Sequence, residues 1–426
     1  MSVVRKRADG PNWRAWQWYN PAMDIRTQSC MLALAFCSAL GHAGPTFSKD
    51  VAPILYNRCV ECHRAGEVAP MSLITYKEVR PWAKAIRDQV TARSMPVWLA
   101  DPQYSHFRND RRISQSEIDT IGNWVKAGAP EGNPTDLPAL PKFETGWTLG
   151  KPDAVFDIGQ DFDVPADGVV PYKYFTVPTN FTEDRWVSAV EIRPSNRAAV
   201  HHIIVFVVEP GKTPVRGEGD ALLSGYAPGE QPMKLEPGTA KLIKAGSSFR
   251  FQLHYTPNGT AYKDRSYIGL TFAKEPIKYQ AMTANALQAN FKIPAGDPDY
   301  EVKSTWTAKK DVELIAFMPH MHVRGKDFKY TIVFPDGREE VMLSVPKYNF
   351  NWQLEYRLAA NLVLPKGTRI DCVAHFDNSS NNKFNPDPTK DVKWGDQTWE
   401  EMMIGWFTYV VPASASATET AAVAAR

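Results

Sequence analysis

Between about residue 152 and residue 411 the chain is a succession of short apolar runs, and no helical patterning interrupts them. Trp186–Ile192, Ile203–Val208, Phe249–Tyr255, Tyr267–Phe272, Val312–Phe317 and Phe328–Phe334 are rich in β-branched and aromatic residues, the composition of strands. Turn signals such as Pro257-Asn-Gly259 and Pro335-Asp-Gly337 separate them. A stretch of this length made only of strands folds as antiparallel sandwiches, and a cut near 285 divides it into 152–285 and 286–411. Proline (33) outnumbers glycine (26), in keeping with short strands and many turns. The Ala/Ser/Thr-rich tail, 412–426, reads as disordered.

Upstream the texture differs. Residues 45–135 read as a small helical domain. Ser48 can cap a helix carrying Val51, Ile54 and Leu55, and a second follows Pro81 with Trp82, Ile86 and Val90 on one face. Ser114-x-x-Glu117 is a capping box ahead of Ile118, Ile121, Trp124 and Val125, with Gly128 as the stop. The stretch 129–151 is rich in Pro and Gly, and 136–151 reads as a linker. Residues 1–43 read as an upstream and export segment, with Met23 the better start. The apolar run Cys30–Leu40 and a small-x-small site ending at Ala43 mark a cleavable signal too short to span a bilayer. The expectation is a periplasmic or otherwise exported protein with no membrane span after cleavage. A net charge of +2 gives no footprint for nucleic acid.

Signal removal takes Cys30 and Cys37 and leaves Cys59, Cys62 and Cys372. Three cysteines do not make a disulfide scaffold, and two of them stand in Cys59-Val-Glu-Cys62-His63. That spacing lets each thiol add to a haem vinyl while the adjacent histidine becomes an iron ligand. A structural zinc would want two more soft ligands nearby, and a redox dithiol would not need the histidine. One covalent haem c on Cys59, Cys62 and His63 is therefore expected. Met95, in Ser94-Met95-Pro96 at a helix end, is the candidate sixth ligand. Met71 follows His63 too closely to wrap around a haem, and His106 is a further rival.

Five histidines form three groups: His201-His202, His254 and His320-x-His322. Residues i and i+2 of a strand share a face, so His320 and His322 can meet one metal. Adjacent residues face opposite ways, so His201 and His202 can share an ion only at a strand end or kink. A single such pair is ordinarily structural; two pairs with a third partner favour metal binding. Imidazole suits zinc, copper, iron or nickel, and a thioether beside two imidazoles shifts the choice to Cu(I). Met402, in Glu400-Glu401-Met402-Met403, is a candidate donor on the final strand.

At these residues the chain resembles a known family. The order His-His, His-Tyr-x-x-x-Gly, His-x-His, Glu-Met is similar to that of the type II copper monooxygenases, which include peptidylglycine α-hydroxylating monooxygenase and dopamine β-monooxygenase. The resemblance covers roughly 155–411. It implies two packed antiparallel β-sandwiches of jelly-roll type with two coppers facing each other across a water-filled cleft. His201, His202 and His254 would hold the electron-transfer copper, and His320, His322 and Met402 the copper that activates oxygen. In the family a cysteine follows the ligand methionine and pairs with an earlier one. This chain keeps the earlier one as Cys372 but has Met403 in the other place, which implies a free thiol and leaves Met403 a rival to Met402. The carboxylate-gripping positions of the peptide hydroxylase correspond to Met318, Ile404 and Trp406, an apolar set that speaks for a less polar substrate.

The expected whole is multidomain: a small all-α cytochrome c domain followed by two packed β-sandwiches. The expected activity is C–H hydroxylation with O2 on an unknown small molecule, with electrons from an external donor passing through the haem. The alternatives are a non-catalytic electron-transfer or copper-binding haem protein, and a zinc hydrolase built on His201, His202 and His254.

Overall fold

A computed structural model describes residues 44–67, 69–143, 146–212 and 222–413. The expected export segment and nearly all of the expected disordered tail lie outside the described residues. Strands dominate the rest, because their sequences alternate with period two. In Ser248–Tyr255, for example, Phe249, Phe251, Leu253 and Tyr255 are buried while the residues between them are only partly so.

Two four-stranded antiparallel sheets each cover part of one long sheet. The first runs Lys173–Pro178, Ser248–Tyr255, Val200–Val208, Leu222–Tyr226. The second runs Tyr300–Thr307, Arg369–Phe376, Gly325–Val333, Glu339–Val345. The nine-stranded sheet serves both cores. Its first half includes Arg185–Arg193 and Tyr267–Phe272, and its second half includes Tyr279–Leu287, Ile404–Pro412, Val312–His320 and Tyr356–Leu364. The seam is a short parallel pairing, Tyr279 with Thr239 and Gln280 with Ala240. The architecture is thus β-sandwich, with one sheet shared. Residue 285 falls inside Tyr279–Leu287, which pairs along its whole length with Ile404–Pro412. The change of core comes earlier, after Phe272, whose strand packs in the first core whereas Ala284 and Ala286 pack in the second.

The upstream helices follow their caps. Ser114 and Glu117 form the expected reciprocal capping box on Gln115–Lys126, and Thr75 with Glu78 forms a second one on Tyr76–Val79. Their apolar faces meet in a small core of Phe47, Val51, Leu55, Ile86, Val90, Ile121 and Trp124. The first turn is not capped by Ser48, which is buried; Thr46 caps a π-turn, Phe47–Val51, that leads into Ala52–Arg58. Trp82 sits on a 3-10 turn and is exposed, whereas Ile86 and Val90 are buried as expected.

The helical part is not a self-contained block from 45 to 135. After Thr91 the chain leaves it, and Trp98, Ala100 and Phe107 bury in the core of the second sandwich. Trp98, Phe107 and Tyr356 meet edge to face, with ring centroids 4.9–6.0 Å apart. Backbone bonds from Asp101 N to Ser344 O and from Arg108 N to Arg357 O extend that sandwich's edge. The expected linker is likewise docked: Thr148 and Leu149 donate their backbone N–H groups to the buried Glu191 carboxylate. Among the described residues no helix is long and apolar enough to cross a membrane.

Because Trp98 fills the second core rather than the helical one, Trp98→Ala should cost about 3–5 kcal/mol of stability. Urea unfolding followed by β-sheet circular dichroism checks this; an unchanged midpoint would show the segment to be an appendage.

Candidate functional site

The strand Val200–Val208 carries a bulge. Val200 pairs with Tyr255 and His202 with His254, so His201 is an extra residue with no partner across the ladder. A bulge turns one side chain off its normal face, and this is the kink that adjacent histidines need to reach one point. His201 Nδ1 lies 3.3 Å from His202 Nδ1 and 3.3 Å from His254 Nδ1. Three imidazoles bound to one ion by metal–nitrogen bonds of about 2.0–2.1 Å place their nitrogens roughly 3.3–3.6 Å apart. Each neutral imidazole has one N–H and one ring lone pair, so without an ion the close Nδ1 contacts hold only through N–H···N bonds set by the tautomers. The Nε2 atoms of His201 and His202 are also buried with no hydrogen-bond partner. The donor set fits a metal.

The second cluster sits at the end of Val312–His320. His320 Nδ1 is 2.7 Å from Gln353 Oε1, and His322 Nδ1 is 3.1 Å from the Glu400 carbonyl. Each contact fixes the ring with its N–H on Nδ1 and leaves Nε2 as the free donor. His322 Nε2 is buried without a partner, and the two rings stand perpendicular with centroids 5.3 Å apart. The turn that presents His322 is held by Glu401, whose carboxylate accepts from His322 N at 2.8 Å and Arg324 N at 2.7 Å. Burial pushes Glu401 up to about 8 against the pull of those bonds.

Met402 lies two residues before the final strand, Ile404–Pro412, rather than on it. It packs with Leu222, Ile404 and Trp406 and lines a cavity of about 620 Å³ whose wall also includes His202, His320 and Met318. Met403 points the other way into the second core, where Ser304 Oγ donates to its sulfur at 3.2 Å. Cys372 is a free, buried thiol in that same core.

The two clusters are bridged by aromatic rings where the resemblance implies an open, water-filled cleft. Tyr172 is 5.2 Å from His202, 4.8 Å from His254 and 6.3 Å from His322. Phe350 stacks on His201 at 5.0 Å and lies 5.9 Å from His254 and 5.8 Å from His322. Neither ring was singled out by the sequence, nor was Gln353; all three act through distant partners that no local motif encodes. His375, also in the strand region, stands apart from both clusters and is 2.8 Å from Asp327 and 3.7 Å from Glu301.

In the helical part, His63 N and Cys62 N both bond to the Cys59 carbonyl, which makes the motif one tight turn. His63 Nδ1 is 3.3 Å from the Met71 carbonyl, so Nε2 is free to ligate. Cys59 and Cys62 are free thiols, and burial, then the neighbouring Cys62, pushes Cys59 up to about 12. These residues fit a haem attached through two thioethers. Met71 engages His63 through its backbone and packs against the helical core. Met95 is half-buried where the chain departs for the second sandwich, and the His106 carbonyl accepts from Ala359 N on that sandwich.

No family model and no curated protein matches the chain. Among solved structures, the infectious bursal disease virus VP2 subviral particle is 10% identical over 62% of this chain and 76% of that one, with a TM-score of 0.20. The N-terminal CBM22-1-CBM22-2 tandem domain of Paenibacillus barcinonensis Xyn10C is 11% identical over 63% and 96%, with a TM-score of 0.14. Likenesses this weak carry no argument.

Desolvation lowers His201 to about 4, His254 to about 3 and His320 to about 4, and drives His202 and His322 down as well. Below a pH of about 6.5 the unfolded chain therefore binds protons that the metal-free fold refuses. Metal-free protein should lose stability steadily as pH falls from about 6.5 to about 4. Urea titrations across that range test it: the five imidazoles must outweigh Glu401 and Glu230, whose raised pKa values act in the opposite direction, and a gain in stability toward pH 4 would overturn it.

Proposed function

We propose that this chain is an exported copper-dependent monooxygenase that receives electrons through its own c-type haem and hydroxylates a C–H bond of a small, largely apolar molecule. The observation that carries the reading is the pairing of two unlike histidine clusters. One is a compact Nδ1 trio on a bulge. The other is a pair aimed by Nε2 beside a cavity that a thioether, Met402, also lines. Copper, when bound, supplies the one-electron steps and the activation of dioxygen.

The chain's own residues set the stage for that chemistry. His201, His202 and His254 would hold one ion, with Phe350 stacked over the His201 ring. His320 and His322, with Met402, would hold the other, and Gln353 and the Glu400 carbonyl keep their rings in one tautomer. The cavity is of a size suited to a small molecule. Its wall of Met318, Ile404 and Trp406 would orient an apolar substrate and exclude water, and offers no carboxylate clamp at those three positions. Cys59, Cys62 and His63, with Met95 the proposed sixth ligand, would carry the haem that takes electrons from an external donor.

His320→Ala should abolish transfer of label from 18O2 into product while leaving the haem spectrum and the copper of the three-histidine site in place. Reduced wild-type protein that reoxidises in air without labelling any product would leave a non-catalytic electron-transfer or copper-binding protein. Zinc without copper in the purified chain would point to the hydrolase instead.

A further inference from the structure

The turn after Val312–His320 and the run that leads to Met402 are far apart in the sequence, yet each reaches into the other. Glu401, next to Met402, accepts from the backbone N–H groups of His322 and Arg324 at 2.8 and 2.7 Å. In the opposite direction, Arg324 Nη1 donates to the Trp399 carbonyl at 3.0 Å, and His322 Nδ1 donates to the Glu400 carbonyl at 3.1 Å. The turn closes by Gly325 N to His322 O at 3.1 Å. Tyr348 Oη accepts from Met321 N at 3.0 Å and donates to Met321 O at 2.8 Å. A Cβ on Gly325 would stand 2.8 Å from both Met321 and Tyr348, so this close approach needs glycine.

Arg324 is buried, and a third piece of chain locks its side chain in place. Its Nε donates to Asn378 Oδ1 at 2.8 Å. Asn378, also buried, uses both ends of its amide: Nδ2 donates to the Pro294 and Lys390 carbonyls at 2.8 and 2.9 Å, and Oδ1 also accepts from Asn385 Nδ2 at 3.0 Å. Residues 377–391 form no helix or strand. They wrap the turn through Asp377 N to Arg324 O at 2.8 Å and Asn382 Nδ2 to Val323 O at 3.2 Å. A buried guanidinium loses its hydration, and apolar packing of the same volume is often as stable. What the guanidinium supplies instead is direction, because its planar fork fixes two bonds at once. Here they run to Asn378 and Trp399.

We propose that Arg324, held by Asn378, is a positioning residue that locks the His322 ring and the Met402 thioether into one rigid donor pair. The proposal rests on the monooxygenase reading for the metal that the pair would meet. Two imidazoles suit several divalent ions, and the thioether is what favours Cu(I). Holding that thioether still against His322 therefore governs which metal is taken as well as how tightly. Arg324→Met keeps much of the apolar stem and removes the fork. The Trp399 carbonyl and Asn378 Oδ1 each lose a donor, and the run to Met402 loosens against the turn that carries His322.

The test uses the full chain, first metal-free and then loaded with Cu(I). In the metal-free protein, imidazole NMR should show the His322 Nδ1 proton exchanging slowly, and Arg324→Met should speed that exchange roughly tenfold. With Cu(I), X-ray absorption should show copper–sulfur scattering, assigned to Met402 by its loss in Met402→Ala. Arg324→Met should remove the same scattering while the copper of the three-histidine site stays. Competition with a chromophoric Cu(I) chelator should find the second site about 10–100-fold weaker. Asn378→Ala should act in the same direction and keeps the test open if Arg324→Met folds poorly. Wild-type sulfur scattering or wild-type His322 exchange in both variants overturns the proposal, however far the melting temperature falls. So does wild-type protein that binds copper without sulfur scattering. If wild-type protein takes up no copper but His322 still loosens in both variants, the clasp stands and the monooxygenase reading falls.

Discussion

The bulge that leaves His201 unpaired between Val200 and His202 sets the terms for the rest of the molecule. It turns two neighbouring side chains toward His254 on the adjacent strand and buries three basic nitrogens against one another. Such a trio is costly in an apolar core, since each imidazole must shed water and stay neutral. The surrounding groups lessen this cost only in part: Thr398 Oγ1 lies 3.5 Å from His254 Nε2, while His202 Nε2 has no partner at all. A bound cation would turn the arrangement from a burden into a gain, and its binding energy would then be folding energy.

The shared nine-stranded sheet is what brings a second cluster to the same place. Because Tyr279–Leu287 joins the first half through two parallel pairs and the second half through a full antiparallel ladder, the two cores cannot swing apart without breaking backbone bonds at the seam. Elements from each half then reach across. Phe350 comes from the second half to cover His201, and Tyr172 comes from the first half, where its backbone N–H donates to Gln397 Oε1 at 3.1 Å. The aromatic bridge between clusters follows from that crossing.

Much of this was legible where the determinant is local. The capping box at Ser114, the alternation of Ser248–Tyr255 and the spacing of Cys59, Cys62 and His63 each depend on residues within a few positions of one another. The five clustered histidines were also legible as a set, and the need for a kink at His201-His202 followed from strand geometry alone. What could not be read is everything set by distant partners. Trp98 looks like a helix-domain tryptophan until Tyr356 is beside it. Glu401 reads as a motif neighbour of Met402, yet it holds the His322 turn. Met402 and Met403 are equivalent in the sequence and become distinct only when one faces the cavity and the other meets Ser304.

Several of the cavity's charged groups brace its walls. Lys241 is fully buried, and its ammonium donates to the Leu222 and Leu223 carbonyls and to Thr283 Oγ1, at 2.7–3.0 Å. Burial pulls it down to about 8. All three of its protons are spent on tying the Leu222–Tyr226 strand to the shared sheet. Arg357 is committed to Glu355 at 2.5 Å, and Glu230 accepts the Glu355 N–H while burial and the Glu355 charge raise its pKa. Toward the histidines the wall turns to Ile204, Leu222, Met318, Ile404 and Trp406. A charged substrate drawn into that end would lose its hydration and find the nearest buried cation already saturated, at a cost of several kcal/mol. A neutral molecule with an apolar face loses little there and gains about 25 cal/mol for each Å² it buries. On the proposed reading, that difference is what selects the substrate.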